Sequence, residues 1–434
     1  MRIAWCHNGV TGGAKRAAYA MVRELARRGH AIDEYIIADE PVDFLPLRPF
    51  VRRSERLTLG RPRVRDLRPH LVDAYGRLAQ LQWRQRRVDR LVRRLARQIN
   101  RQRYDIVHID QHPFCPTMGL LPHLRAPSVV YSHAPSSHRN ETPLVPLRDG
   151  PGWRQAYNAW CRWPRRWEAS WKLARERACL GRASLVLANS AYSARILTER
   201  INRPVQVCYL GVDTERFQPL GGPIEPIMLS VGRLIPAKRH DVIIEALARM
   251  PNATRPGLVI ATPERTEGER MELVLRELAA DRRVALRLLR APSQDELASH
   301  YRRAMAVVFV SAQEPFGLVA LEAMACGTPV IGAREAGQME SIQDGVTGLL
   351  VEPRPDKIEE AILALQRQPE LRARISRQAV EDVRRRWTWA HSVDRYEAAL
   401  RGIFDPSAAA PSVRAPVSRE MDTGRRGFVL EVNR

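Results

Sequence analysis

The segment AVVFVSAQEPFGLVALEAMACGTPV, residues 306–330, places an apolar run, a glycine and a helix-forming run in immediate succession. Residues 306–311 are almost entirely apolar, which is typical of a strand buried in a parallel sheet. Pro315 suits the first turn of a helix, and Gly327 suits its end. Because a helix start leaves backbone N–H groups free and its dipole favours an anion, residues 317–319 are predicted to hold a diphosphate.

Two carboxylates flank this glycine turn, Glu314 before it and Glu322 after it. Glu314 lies at the predicted tip of the strand, where it would face the group attached to the diphosphate. Glu322 lies farther along the helix, where it could accept hydrogen bonds from a ribose. Glutamates are usually solvated surface residues. In a segment that is otherwise apolar, with the helix start and stop in place, the pair indicates a ligand site.

This segment resembles the donor-site signature of retaining glycosyltransferases with the GT-B fold, in the large family 4 group (glycosyl transferases group 1). The resemblance is carried by Glu314, Phe316, Gly317 and Glu322. It implies an α/β fold of two doubly wound Rossmann-like domains that face an interdomain cleft. In that family the first glutamate lies beside the donor sugar and the second binds the nucleotide ribose. The residues expected to bind the donor are Gly13, Phe316, Gly317, Leu318, Val319 and Glu322.

Short apolar strands alternate with amphipathic helices along most of the chain, which indicates parallel sheets covered by helices on both faces. A length of 434 residues is enough for two such domains. The predicted strands are residues 2–7, 31–38, 105–110, 127–132, 184–189, 205–210, 226–232, 257–262, 284–289, 306–311 and 329–333. The predicted helices include Lys15–Arg28, Leu71–Arg103, Asp241–Met250 and Glu296–Arg303.

The turn-rich stretch Phe217–Pro223 predicts a linker between the two domains. We expect an N-terminal, acceptor-side Rossmann-like domain over residues 1–218. A C-terminal, nucleotide-sugar-binding Rossmann-like domain is expected over residues 224–385. A helix at residues 386–404 is expected to pack back on the N-terminal domain, and residues 405–434 are expected to form a disordered tail.

The loop Ser230–Arg239 follows the first predicted strand of the second domain and contains Arg233 and Lys238. Both side chains could reach a diphosphate, arginine as a planar fork and lysine as a point charge. In so basic a chain, solvated surface cations are the ordinary alternative. Lysine is scarce here, however, since the sequence contains only Lys15, Lys172, Lys238 and Lys357. The resembling family has its phosphate-binding lysine at position 238 and likewise has arginine at position 233.

Gly12-Gly13 follows the first predicted strand and opens the first helix. A glycine pair allows close backbone approach to a ligand, but by itself it also fits a plain turn. In the resembling family this loop leans over the donor phosphates and sugar, which implies that role for Gly13.

Histidines end two predicted strands of the first domain, His108 and His112 at one and His133 at the other. Most histidines are structural, and the spacing does not resemble a metal-ligand set. His133 resembles the histidine of a Tyr-Cys-His-x-Pro segment found in lipid-linked mannosyltransferases, although Ser132 replaces the cysteine. The resemblance implies that His133 contacts the transferred sugar on the acceptor side of the cleft.

The net charge of +22 predicts a negatively charged partner. Leu71–Arg103 is predicted to be a basic amphipathic helix, and tryptophans alternate with arginines over residues 153–171. Docking on an anionic membrane and packing against the domain core are both open interpretations of this flank. Nucleic acid is not expected, because no recognition module is present.

Scattered cysteines, no signal peptide and no apolar run of membrane-spanning length predict a cytoplasmic protein, or one peripheral on the inner face of the membrane. No Asp-x-Asp pair is present. We therefore expect no metal and no cofactor other than the nucleotide-sugar co-substrate.

The prediction is a metal-independent retaining glycosyltransferase that moves a sugar, mannose being one candidate, from a nucleotide-diphosphate sugar to a glycan or lipid-linked acceptor. Polysaccharide or lipopolysaccharide biosynthesis is the expected setting. The predicted catalytic residues are Glu314, Arg233, Lys238 and His133. Two alternatives stay open: a nucleotide-sugar epimerase or phosphorylase on the same fold, and a non-catalytic basic protein that binds nucleic acid or membrane.

Overall fold

The computed structural model describes residues 1–8, 12–38, 44–58, 73–111, 116–133, 170–171, 173–263 and 268–405, with the backbone alone for residues 73–84. Some predicted features lie outside these residues. They are His112, the expected tail beyond residue 405 and most of the tryptophan-rich flank, including Trp153, Trp160, Trp163 and Trp167.

Within the described residues, the first half of the chain forms a seven-stranded parallel sheet in the order β3-β2-β1-β4-β5-β6-β7. The strands are β1 (Arg2–His7), β2 (Ala31–Ile37), β3 (Arg53–Leu57), β4 (Ile106–Gln111), β5 (Ser128–Ser132), β6 (Leu185–Ala188) and β7 (Gln206–Val207). Helices described with this sheet are α1 (Gly13–Arg27), α2 (Asp73–Arg101) and α3 (Ala191–Ile201). The strand order reverses between β1 and β4, which opens a crevice at their carboxyl ends.

The second half repeats this plan with a six-stranded parallel sheet in the order β10-β9-β8-β11-β12-β13. Its strands are β8 (Glu225–Val231), β9 (Gly257–Thr262), β10 (Leu286–Arg290), β11 (Ala304–Phe309), β12 (Val330–Ala333) and β13 (Leu349–Val351). Its helices are α4 (His240–Ala248), α5 (Glu269–Asp281), α6 (Gln294–Arg303), α7 (Leu318–Ala325), α8 (Gln338–Ser341), α9 (Pro355–Arg367) and α10 (Pro369–Arg386). The second crevice opens between β8 and β11.

Two doubly wound parallel sheets confirm the predicted α/β class. The sequence did not predict β3 and β13, and both strands lie at an edge of their sheet. β3 reads RSERL, a charged and partly exposed run, and β13 has three residues. Because an edge strand is only half covered, it does not need the continuous apolar run by which buried strands are recognised.

The helix α6 begins two residues before its predicted start. Ser293 accepts a hydrogen bond from the Glu296 backbone, and the Glu296 side chain accepts one from the Ser293 backbone. This capping box fixes the first turn, so the helix starts at Gln294 and not at the first clearly periodic residue.

The last described helix, α11 (Trp389–Phe404), packs against α1 of the first half. The hydroxyl of Tyr396 lies 2.8 Å from His108 Nδ1 in the first sheet. Arg28 donates hydrogen bonds to Asp394 at 2.7 Å and to Glu397 at 2.8 Å. The chain therefore crosses twice between its halves, before β8 and after α10, and the two crossings run side by side where Val212 pairs with Thr388.

Among the helices of the described residues, none is both long and apolar enough to cross a bilayer.

Candidate active site

The turn between β11 and α7 leaves three backbone amides free. Gly317 has φ 95°, and a Cβ atom there would lie 2.8 Å from Phe309 Cε1, so this position requires glycine. Among the described residues, the N–H groups of Gly317, Leu318 and Val319 have no hydrogen-bond acceptor. The helix start therefore presents unsatisfied donors and the positive end of a dipole, as the sequence predicted for an anion site.

Lys238 and Glu314 lie directly beside this turn. Lys238 Nζ donates to Glu314 Oε2 at 2.6 Å, and both side chains are 20% exposed. The Lys238 side chain packs against the backbone of Gly232, where an added Cβ would lie 3.1 Å from Lys238 Cγ. Glu314 Cγ is in turn 3.8 Å from where a Cβ of Gly317 would be. The lysine, the glutamate and the glycine turn thus form one contiguous surface.

Arg233 lies in the same loop as Lys238 but does not join this ion pair. Among the described residues its guanidinium has no hydrogen-bond or ion-pair partner. Its backbone is fixed, because His240 Nε2 bonds to the Arg233 carbonyl at 3.2 Å and Ser230 Oγ lies 3.0 Å from His240 Nδ1. Burial lowers the pKa of His240 to about 4, so this ring is neutral at physiological pH.

Glu322 is 4% exposed, and both of its oxygens already have partners. Arg16 of α1 donates to Oε1 at 2.5 Å, and the Tyr301 hydroxyl donates to Oε2 at 2.9 Å. Burial raises the pKa of Glu322 above its ordinary value, although Arg16 and Tyr301 both oppose this rise. The carboxylate predicted to bind ribose is therefore paired to the facing domain in this structure.

The Phe316 ring lies in the core and not in the cleft. It is 1% exposed and packs between Tyr209, at 6.0 Å between ring centroids, and Trp387, at 5.7 Å. Only the backbone of Phe316 can therefore face a donor, and its side chain anchors the turn that carries Gly317.

Several contacts bring the two halves together around this surface. A Cβ at Gly13 would lie 3.8 Å from Leu318 Cδ1, so the glycine loop of α1 faces the start of α7. Glu340 accepts hydrogen bonds from the backbone N–H groups of Ala191 at 2.7 Å and Tyr192 at 2.8 Å, at the start of α3. The two halves thus contact each other at two places around the predicted interdomain cleft.

His133 lies in the first half, at the carboxyl end of β5. Its Nε2 lies 3.2 Å from Asp110 Oδ1, and this oxygen also lies 3.1 Å from His108 Nε2. Burial alone would raise the pKa of Asp110, but the two adjacent histidines hold it well below its usual range. Asp110 is therefore ionised, and it orients the His133 ring.

His108, a weaker sequence candidate, is structural. Its ring is fully buried and stacks on Trp5 with 3.6 Å between centroids. Burial lowers its pKa, and Tyr396 and Asp110 occupy its two nitrogens. No face of this ring is left for a substrate.

Sequence reasoning missed Lys15, Arg16 and Asp110, which the fold places close to the cleft. The scarcity of lysine pointed to Lys15 as much as to Lys238, but no motif explained it. Arg16 had no signal, because one arginine among many gives no indication of its partner. Glu340, which bonds across the domains, is also absent from the predicted site residues.

Two doubly wound domains, with a cation and free amides on the facing loops, define a fold of the GT-B type. Residues 212–382 match the sequence model of the family described as Glycosyl transferases group 1, and residues 11–216 match that of Glycosyltransferase Family 4. The chain therefore belongs to the family 4, group 1 glycosyltransferases, and the predicted resemblance is confirmed.

Curated relatives are D-inositol 3-phosphate glycosyltransferases. The one from Geodermatophilus obscurus is 36% identical over 264 residues, which is 56% of this chain and 57% of the relative. The one from Frankia alni is 39% identical over 195 residues, which is 41% of this chain and 48% of the relative. The chain thus spans about half the length of the curated relatives it matches.

Solved structures share the whole fold. A sucrose-phosphate synthase from Thermosynechococcus elongatus has a TM-score of 0.72 and 20% identity, covering 93% of this chain and 99% of that one. Anabaena Alr3699/HepE in complex with UDP and glucose has a TM-score of 0.67 and 20% identity, covering 93% of this chain and 100% of that one. These likenesses confirm the GT-B fold.

Proposed function

We propose that this protein is a nucleotide-sugar-dependent glycosyltransferase that transfers a sugar to a hydroxyl-bearing acceptor, a glycan or a lipid-linked molecule. The observation that carries this proposal is the surface made by Lys238, Glu314 and the free amides of residues 317–319. A cation beside unsatisfied amides suits the two charged phosphates of a donor, and a carboxylate at the same place suits sugar hydroxyls.

In this proposal the protein itself neutralises the charge that develops on the departing diphosphate. Lys238, Arg233 and the amides of residues 317–319 face that charge, so no metal is required. Arg233 is ready for this role because its guanidinium has no partner among the described residues. Lys238 exchanges Glu314 for a phosphate oxygen when the donor binds, and Glu314 then accepts hydrogen bonds from the sugar hydroxyls.

The donor proposed is a uridine diphosphate sugar. Support comes from structural neighbours, since Anabaena Alr3699/HepE is described in complex with UDP and glucose, and with UDP-glucose. When the donor binds, Glu322 accepts hydrogen bonds from the ribose. Arg16 either moves away or shares the carboxylate, because a carboxylate has lone pairs for further donors. Mannose stays a candidate for the transferred sugar.

Retention of anomeric configuration is proposed from family membership. The bond from the anomeric carbon to the diphosphate oxygen breaks, and the acceptor oxygen bonds to the same face of that carbon. The acceptor proton passes to the departing phosphate oxygen. A D-inositol phosphate is one acceptor to test, because the curated relatives are named for it.

A thermal-shift screen tests the donor part of this proposal. UDP, GDP and ADP, each alone and as a nucleotide sugar, should be compared at equal concentration, because a ligand that binds the folded state raises Tm by mass action. We expect UDP to raise Tm in the wild type and to have a much smaller effect in Lys238→Ala. Lys357→Ala is the matched control, because Lys357 is a lysine with a 41% exposed side chain that pairs with Glu360, away from the glycine turn. If no nucleoside diphosphate raises Tm, the proposal is wrong.

An anionic membrane surface is the proposed partner of the basic face of α2. This face bears exposed arginines with a single acid, Asp89, on the described side-chain segment of the helix. Its exposed arginines are Arg86, Arg90, Arg93, Arg94, Arg97 and Arg101. Each basic residue close to an anionic bilayer contributes about 1 kcal/mol, so a face of this kind is sufficient for peripheral binding.

Co-sedimentation with lipid vesicles tests the membrane partner. We expect binding to phosphatidylglycerol vesicles, little binding to phosphatidylcholine vesicles, and a strong loss when Arg90, Arg94 and Arg97 are changed to glutamate. The same charge change at Arg374, Arg377 and Arg384, exposed arginines of α10, is the control. Equal loss in both triple variants would mean that net charge, and not the α2 face, drives the association.

A further inference from the structure

A buried polar cluster lies beneath the start of α1, and the donor surface does not use it. The Lys15 side chain is 2% exposed, and among the described residues its ammonium has no hydrogen-bond partner. The carboxylate oxygen it approaches, Glu34 Oε1, is 3.9 Å away, which is too far for a hydrogen bond. An ammonium carries three donors, and burying it with all of them unmet is strongly unfavourable.

The neighbouring carboxylates have hydrogen-bond partners other than Lys15. Glu34 accepts hydrogen bonds from His7 Nε2 at 2.8 Å and from Ser54 Oγ at 2.5 Å. Asp110 accepts one from Trp5 Nε1 at 2.9 Å and lies within hydrogen-bond distance of two histidines. Each acid is thus hydrogen-bonded by other side chains, and Lys15 adds an ion pair with Glu34 at 3.9 Å that leaves the donors of its ammonium unmet.

His133 supplies a complementary atom at the same cluster. His133 Nε2 lies 3.2 Å from Asp110 Oδ1 and donates to this carboxylate, so Nδ1 is the ring nitrogen left for a further hydrogen bond. That Nδ1 atom is buried and has no partner among the described residues. The cluster therefore presents unmet donors on Lys15 and an unpartnered ring nitrogen on His133. A hydroxyl group can bond to both, because it accepts and donates.

We propose that Lys15 and His133 recognise the acceptor and select a neutral polyhydroxylated ring, a sugar or a cyclitol, through its hydroxyl groups. The inference rests on the proposed glycosyl transfer and names the acceptor class for that reaction. A neutral ring is favoured over an anion because Glu34 and Asp110 place two carboxylates around one ammonium. Any phosphate on the acceptor would lie outside this cluster.

The test uses the small number of lysines in the chain. Protein labelled with ¹³C at lysine Cε has four lysine signals, which the variants K15M, K238M and K357M assign. The full-length protein is titrated with myo-inositol, glucose, inorganic phosphate and UDP. We expect myo-inositol or glucose to shift the Lys15 signal, phosphate to leave it unchanged, and UDP to shift the Lys238 signal. Lys357 should respond to none of the sugars.

The outcomes separate this inference from the donor proposal. If UDP leaves the Lys238 signal unchanged, the proposed donor site is wrong, and the acceptor assignment is not affected. If UDP shifts Lys238 while neither ring shifts Lys15, the acceptor assignment is wrong. A Lys15 signal that moves with phosphate but not with the rings also overturns it, because the cluster is then an anion site.

A second measurement does not depend on any ligand. If Lys15 is kept for binding and not for stability, K15M should melt higher than the wild type, by about 2 °C or more, because the buried unmet charge is removed. Its response to UDP should be unchanged. A lower Tm in K15M would assign Lys15 a structural role and contradict the inference.

Discussion

The two walls of the cleft hold their charged groups in different ways. On the C-terminal wall, Lys238 and Glu314 pair with each other and each is 20% exposed. On the N-terminal wall, Lys15 and His133 are about nine-tenths buried or more, and each keeps a polar atom that has no hydrogen-bond partner in the described part of the chain. The C-terminal wall is thus a partly exposed ion pair, and the N-terminal wall is a buried cluster with hydrogen bonds left unmade.

A partly exposed ion pair and a buried polar cluster suit different kinds of ligand binding. An ion pair that is partly exposed contributes little to stability, so exchanging a partner for a ligand costs little. Such a surface suits a charged group that must enter and leave in every cycle. A buried polar group is fixed before the ligand arrives, which improves selectivity at the expense of stability. We therefore expect substitutions on the C-terminal wall to affect turnover. Substitutions on the N-terminal wall should affect acceptor choice and stability.

The largest expected effect is that of Lys238→Ala. Loss of one preorganised donor to a developing negative charge lowers turnover by about 10²–10³-fold in other enzymes. Because the ion pair with Glu314 is partly exposed, we expect little change in Tm. Initial rates with saturating nucleotide sugar measure the effect, and Lys357→Ala should retain wild-type turnover. A variant that loses Tm and turnover together would show that the C-terminal wall also holds the fold.

Gly337→Ala tests whether the turn geometry, as distinct from its charges, forms the C-terminal wall. A Cβ at Gly337 would lie 2.0 Å from the Pro315 carbonyl oxygen, so the backbone between Glu314 and Gly317 has to move. Overpacking of this kind costs about 1–3 kcal/mol, and nucleoside diphosphate affinity should fall with it.

Urea unfolding and UDP titration of Gly337→Ala measure the two losses. Gly257→Ala is the matched control, because the atom nearest to its added Cβ lies at 3.7 Å, an ordinary contact. Retained UDP affinity in a destabilised Gly337→Ala would mean that the free amides of the turn do not bind the diphosphate.

The sequence predicted the C-terminal wall far better than the N-terminal one, and the reason is local. Glu314, Gly317 and Lys238 belong to short segments in which strand, turn and helix signals are adjacent. Lys15 of α1 gains its electrostatic role from Glu34 on β2 and Asp110 on β4, which are far from it in sequence. Contacts between distant segments leave no spacing pattern in a single sequence.

The same reasoning explains the placement of Phe316 and Glu322. Both were predicted from the motif to face the donor, and the motif fixes their position on the turn and the helix. Burial of the Phe316 ring depends on Tyr209 and Trp387, and pairing of Glu322 depends on Arg16. The edge strand β3 was missed because it is charged and only half covered.

A smaller effect is expected for Glu322→Gln, which keeps an acceptor for the Tyr301 hydroxyl but removes the charge. We expect UDP to bind about 10-fold more weakly, equivalent to about 1.4 kcal/mol, while inorganic pyrophosphate, which lacks ribose, binds as before. Isothermal titration of both ligands measures the difference. Glu340→Gln is the control, because that carboxylate is partly buried and also bonds across the domains. Equal weakening of both ligands in Glu322→Gln would place the effect in domain contacts and not in ribose binding.

The smallest expected effect is a pH dependence of the free energy of unfolding, which distinguishes Lys15 on the N-terminal wall from a lysine at the surface. Burial lowers the pKa of Lys15 below 10.5, and Glu34 and Asp110 only partly oppose this. A lowered folded-state pKa means that Lys15 adds stability above pH 10.5 and that this stability is lost as the pH falls through the folded-state pKa. The free energy of unfolding of Lys15→Met minus that of the wild type should therefore increase from pH 10 to pH 7.

Lys357 provides the opposite case, because its hydrogen bond and ion pair with Glu360 raise its pKa. The stability it adds is present below pH 10.5 and is lost as the pH rises through its raised pKa. Urea unfolding of Lys357→Met at pH 7, 8.5 and 10 should therefore give a weak trend of opposite sign to that of Lys15→Met. Trends of the same sign in the two variants would mean that Lys15 is held by its carboxylate neighbours as Lys357 is. The contrast between the two walls would then rest on exposure alone.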